Sequence, residues 1–161
     1  MADPVPEHPV AERARLLAEG VEAWARLRAR LDADADRGSL HDPGSPAWTS
    51  REVYAHFARY QSHSLENLHR RLAGQEPLPR DGLDDDPRNE RWAAIDRALT
   101  LDEAREWCLA TTEALRRAAL ALTPERWAEF GTRYADDVLA AHYVAHLEYI
   151  DRASAGSSSP R

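Results

Sequence analysis

The chain has 161 residues, 43% of them hydrophobic and 30% charged, which is enough for one globular domain with a buried core. Its net charge of −7 argues against a nucleic-acid-binding surface, which needs a basic face. All 21 basic residues are arginine, which excludes a Schiff-base lysine, and the single cysteine excludes an internal disulfide. No apolar run approaches the roughly 20 residues that span a bilayer, and the N-terminus lacks a signal-peptide core. We therefore expect a cytoplasmic protein without nucleic-acid or membrane partners.

Apolar spacing predicts a chain made almost entirely of helices. Hydrophobic residues recur every three or four positions, and no segment shows the alternation of a strand. The predicted helices run from Val10 to Leu31, from Ser50 to Ala73, from Pro87 to Leu99, from Leu101 to Leu122 and from Arg133 to Ala153, with one further turn around Trp127 closed by Gly131. Four long helices joined by loops predict an all-α four-helix bundle with short extra helices in the loops. Residues 1–153 form this single domain, and residues 154–161 are expected to be a disordered tail.

The second helix has the clearest start signal in the chain. Thr49 and Glu52 have the spacing of a capping box, and Trp48 and Val53 have the spacing of its hydrophobic staple. This helix also differs from the others in carrying histidine and hydroxyl groups near its inward side, namely His56, Tyr60, His63 and Ser64.

His142 and His146 lie four residues apart in the last predicted helix, so both imidazoles leave the same side of it. That side is the apolar one, where an imidazole is costly unless it is hydrogen-bonded or ligated. With His56 on a facing helix they predict a three-histidine metal site, whose open fourth position is typical of a catalytic metal. The alternative is that all three are core histidines, hydrogen-bonded to neighbours such as Tyr60 or Glu148.

Other motifs favour simpler interpretations. The acidic triplet at 84–86 lacks the alternating spacing of an EF-hand and is expected in a solvated loop that caps the next helix. Cys108 follows Trp107 on an apolar face, which predicts a buried, inert thiol. The chain has neither a GxSxG elbow nor a phosphate-binding glycine loop, which argues against a serine hydrolase and a nucleotide enzyme.

Two motifs resemble those of the DinB/YfiT-like four-helix-bundle superfamily. The segment Trp48–Phe57, WTSREVYAHF, resembles the opening of its second helix, and His142–Leu147, HYVAHL, resembles its last-helix motif at a typical separation. The stretch from Asn89 to Trp107 is most similar to the ClbS/DfsB-like and mycothiol-dependent maleylpyruvate isomerase-like branches. The resemblance covers nearly the whole chain.

This resemblance implies an up-down-down-up bundle, often a homodimer, that acts on a small-molecule substrate. In such a bundle His56, His142 and His146 would bind a divalent metal such as zinc or nickel. The resemblance further implies a thiol transferase or isomerase that uses a low-molecular-weight thiol such as mycothiol and acts on an electrophilic metabolite. The residues that would orient that substrate are Tyr60, Tyr143 or Arg91.

Two departures from the resemblance leave other functions open. Bacillithiol-type relatives follow the last histidine with Arg-Gly-Gln, where this chain has Leu147–Tyr149, and the ClbS-like branch often has a glutamate at the position of Ala145. Some ClbS-like members act without metal, so the second hypothesis is a metal-free protein that binds or hydrolyses a reactive toxin. The third is a non-catalytic, stress-related interaction bundle. An open pocket would favour ligand binding over this third function, and its expected aromatic lining is Trp48, Trp92 or Tyr143.

Overall fold

The computed structural model describes residues 9–40, 47–79 and 81–156. Its helices are α1 (Pro9–Ala33), α2 (Ser50–Leu72), α3 (Asp85–Asp96), α4 (Leu101–Leu120), α5 (Pro124–Arg126), α6 (Thr132–Ala135) and α7 (Ala140–Gly156), with a π-helical segment (Trp127–Gly131) before α6 and a 3₁₀ turn (Asp136–Val138) after it. These ranges contain no strand, which confirms the all-α prediction. Within them, every helix is too short or too polar to traverse a lipid bilayer.

The first and last long helices run in the same direction, and α2 runs against them. Arg30, near the end of α1, donates a hydrogen bond to Asp151, near the end of α7, at 3.0 Å. Ser50 begins α2 beside the end of α1, where its hydroxyl donates to the carbonyl of Leu31 at 2.7 Å. From this point α2 runs back toward the start of α1.

The two central helices, α2 and α4, are parallel to each other. The guanidinium of Arg105 in α4 lies 5.7 Å from the ring centroid of Tyr54 in α2, and further along both helices Thr112 donates to Gln61 at 2.9 Å. Toward the ends of both helices, Leu68 and Leu115 are buried in the same part of the core. The order of directions is therefore up-down-down-up, as the family resemblance implied.

Capping boxes are present at the starts of α2 and α4. The backbone N–H of Thr49 donates to the carboxylate of Glu52 at 2.8 Å, and that of Thr100 donates to Glu103 at 2.7 Å, so both capping boxes form. The helix α2 ends one residue before the prediction, and Gly74 follows with a φ of +71°, a conformation that favours glycine.

Three other predicted boundaries shift by a few residues. The helix α3 begins at Asp85 with Asp84 as its N-cap, two residues before the predicted start, because the acidic side chains are accommodated in its first turn. The helix α4 ends at Leu120, and α7 continues to Gly156, three residues into the predicted tail. The remainder of that tail, residues 157–161, lies outside the described residues.

The apolar residues that recur every three or four positions along α1 are mostly buried, among them Leu17, Leu27 and Leu31. Val21 is the exception in the middle of the helix: it is 44% exposed, whereas Gly20 beside it is buried. Packing explains this difference, because Gly20 provides a close approach for the chain that precedes α7.

The turn predicted around Trp127 does not close at Gly131. Gly131 has helical dihedral angles, with φ −60° and ψ −51°, and the chain stays helical through Ala135. A β-carbon at position 131 would overlap the indole ring of Trp127, so glycine is required here for packing and not for a turn. The sequence pattern does not distinguish these two uses of glycine.

The last helix is interrupted where an unbroken helix was predicted. It begins at Ala140 and not at Arg133, because the 3₁₀ turn Asp136–Val138 and the extended residue Leu139, with φ −90° and ψ 160°, precede it. No glycine or proline marks this break. Tertiary contacts hold it, including a hydrogen bond from the amide of Gln61 to the carbonyl of Asp137.

Candidate metal centre

Three histidines from two helices converge on one side of the bundle. His56 lies on the second turn of α2, and His142 and His146 lie on the first two turns of α7. His56 and His146 are 8% and 6% exposed, and His142 is partly buried. Their ring centroids are 4.9–5.4 Å apart. The predicted convergence of these residues is therefore present in the structure.

The spacing of the imidazole nitrogens fits a single divalent ion. One nitrogen from each ring lies within 4.8 Å of the other two, and the Nε2 atoms of His56 and His142 are 3.3 Å apart. For tetrahedral zinc with Zn–N distances of about 2.0–2.1 Å, two ligand nitrogens lie about 3.3–3.4 Å apart. Three neutral imidazoles also suit zinc, nickel or other borderline metals.

Asp137 binds the ring nitrogen of His142 that does not face His56. The Nδ1 atom of His142 donates to Oδ1 of Asp137 at 3.0 Å, which leaves Nε2 directed toward His56. The second carboxylate oxygen of Asp137 accepts a hydrogen bond from the hydroxyl of Ser64 at 2.5 Å. A carboxylate that fixes the tautomer and ring orientation of a histidine is a usual partner of metal-binding histidines.

The sequence alone did not identify Asp137 as part of the site. In an unbroken helix, residues five apart point in directions about 140° apart, so Asp137 would not face His142. The 3₁₀ turn and the extended Leu139 remove this restriction. The signal that could have identified it is the acidic pair at 136–137 shortly before the histidine motif.

Aromatic rings surround the histidines. Phe57 packs beneath them, with its ring centroid 4.6 Å from that of His142 and 4.8 Å from that of His146. The indole of Trp48 is nearly parallel to the ring of His146, at 8° and 6.2 Å. Tyr60 lies 4.7 Å from His56 between centroids. These contacts restrict the rotation of the imidazoles.

The open side of the cluster faces a cavity of about 530 Å³. Its lining comes from the start of α2, from α3 and from the region around the break before α7, and consists of Trp48, His56, Tyr60, Asp85, Asp86, Asn89, Asp136, Asp137, Leu139, Ala141, His142, Ala145, His146 and Tyr149. Asp85 and Asp86 belong to the triplet that was predicted to lie in a solvated loop. They are exposed in the first turn of α3 and form part of this wall.

The electrostatics of the cavity are dominated by carboxylates. Asp136 is an exposed residue, yet partial burial of its carboxylate and the neighbouring carboxylate of Asp137 raise its pKa to about 6, with His142 opposing the shift. Burial and then the charge of Asp85 also raise the pKa of the Tyr60 hydroxyl. Both shifts have the sign expected for groups that lie near other negative charges in a partly dehydrated site.

Of the residues predicted to orient a substrate, one lies in the cavity wall. The hydroxyl of Tyr60 donates to Oδ1 of Asn89 at 2.9 Å, which links α2 to α3 across the cavity. Tyr143 is fully buried, stacks in the core against Phe57, and accepts a hydrogen bond from Gln61. Burial raises the pKa of its hydroxyl. Tyr143 therefore does not line the cavity.

Arg91 also lies away from the histidine cavity. It is exposed on α3 and lines a neighbouring depression together with Arg88, Trp92 and His63. Tyr60 separates the two spaces and lines both. The alternative hydrogen-bond partner considered for the histidines, Glu148, is exposed on the side of α7 that faces a groove beside α1.

The chain matches one known protein family over most of its length. The model of the mycothiol maleylpyruvate isomerase N-terminal domain family matches residues 17–151, which include all three histidines. No curated protein and no solved structure gives a significant match. Because the family match spans most of the chain, the protein belongs to this family, which is part of the DinB/YfiT-like superfamily.

Proposed function

We propose that this member of the mycothiol maleylpyruvate isomerase N-terminal domain family is a metal-dependent enzyme that transfers a small thiol to, or isomerises, an electrophilic metabolite. The observation that carries the proposal is the cluster of His56, His142 and His146 with a carboxylate behind one ring. Membership of a family named for a mycothiol-dependent isomerase supports a thiol as co-substrate.

The three imidazoles would hold the metal, and the cavity would admit the reactants on its open side. When bound, a divalent cation supplies Lewis acidity. It lowers the pKa of a thiol, so that a larger fraction of the thiol is thiolate at neutral pH. When the thiol adds to a conjugated double bond, the S–H bond and the C=C π bond break, the S–C bond forms, and the proton ends on the neighbouring carbon. An isomerisation ends with the reverse elimination, which restores the double bond and the free thiol. Asp137 contributes by keeping the proton of His142 on Nδ1, so that Nε2 can coordinate.

Other residues of the wall would position the reactants. Tyr60 and Asn89 are already hydrogen-bonded to each other, so each has its orientation fixed before a ligand arrives. Trp48 and Phe57 are buried against the histidines and limit water on that side. This arrangement supports Tyr60 as the orienting residue in preference to Tyr143 or Arg91.

The decisive experiment compares the metal content of tag-free wild-type protein with that of a His146→Ala variant. We expect nearly one equivalent of zinc or nickel in the wild type and a large loss in the variant. His69→Ala is the matched control, because His69 is exposed on α2 and outside the cluster. Thiol-dependent consumption of electrophiles is then assayed with mycothiol and with a simple thiol.

A second function is favoured by one feature, the size and openness of the aromatic-walled cavity. A protein that only forms interactions has no need of a space of about 530 Å³ beside buried histidines. If wild-type protein holds no metal even after incubation with zinc and nickel, the metal-dependent proposal fails. A metal-free protein that binds or hydrolyses a reactive toxin then becomes the better hypothesis.

A further inference from the structure

The wall of the histidine cavity has an unusual balance of charge. Four of the described lining residues are aspartates, and none is an arginine, although arginine is abundant in the chain. Arg88 contacts Asp85 at 2.9 Å and interacts with the hydroxyl of Tyr60, and Arg152 lies over the ring of Tyr149, but neither arginine lines the cavity. The charged side chains that line this space are therefore carboxylates and not guanidinium groups.

Two of these carboxylates take part in no ion pair among the described residues. Asp85 is paired with Arg88, and Asp137 is bound to His142. In contrast, Asp86 and Asp136 form no ion pair within the described ranges. They approach the cavity from different elements, Asp86 from α3 and Asp136 from the turn before α7. Their charges remain available to a ligand between these elements.

Aromatic rings complete the same space. Trp48 and Tyr60 both contact His56, with ring centroids 4.8 Å and 4.7 Å from it. Aromatic faces attract cations through the ring quadrupole, and the attraction increases where water is excluded. Carboxylates together with aromatic walls form a favourable environment for an ammonium group and an unfavourable one for a carboxylate ligand.

We propose that the small molecule bound in this cavity carries a positive charge, as a protonated amine or a quaternary ammonium group close to its reacting centre. The inference rests on the proposed function in treating the histidine cavity as the active site. A divalent ion on the histidines would offset part of the negative charge of the four aspartates and leave Asp86 and Asp136 facing the ligand. Anionic electrophiles are then selected against by charge repulsion.

The test measures binding to the as-purified, full-length chain by calorimetry with three probes. Choline is the cation, 3,3-dimethylbutanol is its uncharged isostere, and maleate is a dianion. We expect choline to bind at least about tenfold more tightly than the isostere, which is the effect of a cation–aromatic and carboxylate environment of moderate strength. Added salt should weaken choline binding, and maleate should not bind.

Variants of two aspartates test whether the preference for choline arises in this cavity. Asp86→Asn and Asp136→Asn should each weaken choline binding severalfold without changing the binding of the isostere. Asp102→Asn is the control, since it removes the same charge from an exposed position at the start of α4, outside the cavity. Equal affinity for choline and its isostere, no detectable choline binding, or an equal effect of Asp102→Asn would overturn the proposal.

The experiment distinguishes a failure of this inference from a failure of the proposed metal-dependent function. Metal content is measured on the same samples, so the absence of metal contradicts the metal-dependent activity whether or not choline binds. A preference for choline in a protein without metal would support a cation-binding site and contradict the metal-dependent activity. Metal binding without any charge preference would leave the proposed function standing and remove this inference.

Discussion

Gly20 of α1 lies directly against the backbone carbonyl of Val138, and a β-carbon at position 20 would overlap that oxygen. The contact joins the first helix to the 3₁₀ turn that interrupts the chain before α7. The same turn presents Asp137 to His142. A glycine in the middle of a helix therefore supports the geometry of a site formed by other elements.

Replacing Gly20 with alanine should destabilise the fold and disturb the histidine cluster. Alanine favours helix, but the overlap with a backbone carbonyl requires a shift of α1 or of the turn, at a cost of about 1–3 kcal/mol. Urea denaturation measures the loss. Gly38→Ala is the matched control, because a β-carbon there meets nothing within 4 Å. Equal stability of the two variants would show that the turn adapts without cost.

Asp137→Asn should reduce metal affinity by about 10–100-fold, the usual effect of removing a carboxylate behind a ligating histidine. The amide keeps the shape of the side chain but no longer provides a charged acceptor for Nδ1 of His142. Competition with a coloured chelator measures the affinity. Ser64→Ala should produce a smaller loss, since its hydroxyl acts on the carboxylate only. Unchanged affinity in Asp137→Asn would contradict a positioning role.

Arg59→Gln should loosen α3 and so open the cavity. Arg59 donates to the buried carboxylate of Asp96 at the end of α3, and its guanidinium lies over the ring of Trp107. Glutamine is neutral, so the buried carboxylate of Asp96 loses its charged hydrogen-bond donor, which lowers the free energy of unfolding by about 1–3 kcal/mol. Compared with the wild type, the variant should show faster amide hydrogen exchange in residues 85–96, with a smaller change in α2. Arg117→Gln, at an exposed pair with Glu113, should leave this pattern unchanged.

Cys108 should not react with thiol reagents while the protein is folded. It is fully buried, and burial raises the pKa of its thiol to about 12, so the thiolate is scarce at neutral pH. With Ellman's reagent we expect very slow labelling of the native protein and complete labelling in denaturant. Rapid labelling of the native state would instead indicate frequent local opening of α4.

The sequence by itself determined the helical architecture and the three histidines of the cluster. Capping boxes at Thr49 and Thr100 depend only on residues three apart, so local chemistry was sufficient to locate α2 and α4. The four-residue spacing of His142 and His146 likewise places both side chains on the same side of any helix that contains them. These features are local, and the structure confirms where they occur.

Only the tertiary structure decided what surrounds the histidines. The break before α7 has no glycine or proline signal, because it is held by contacts with α1 and α2 that are distant in sequence. That break brings Asp137 to His142, and the packing of α3 brings Asp86 to the cavity wall. Tyr143 shows the opposite case, since it follows His142 directly in sequence but is buried in the core. Helical periodicity specifies directions within one element, whereas the charge and shape of this site arise from several elements packed together.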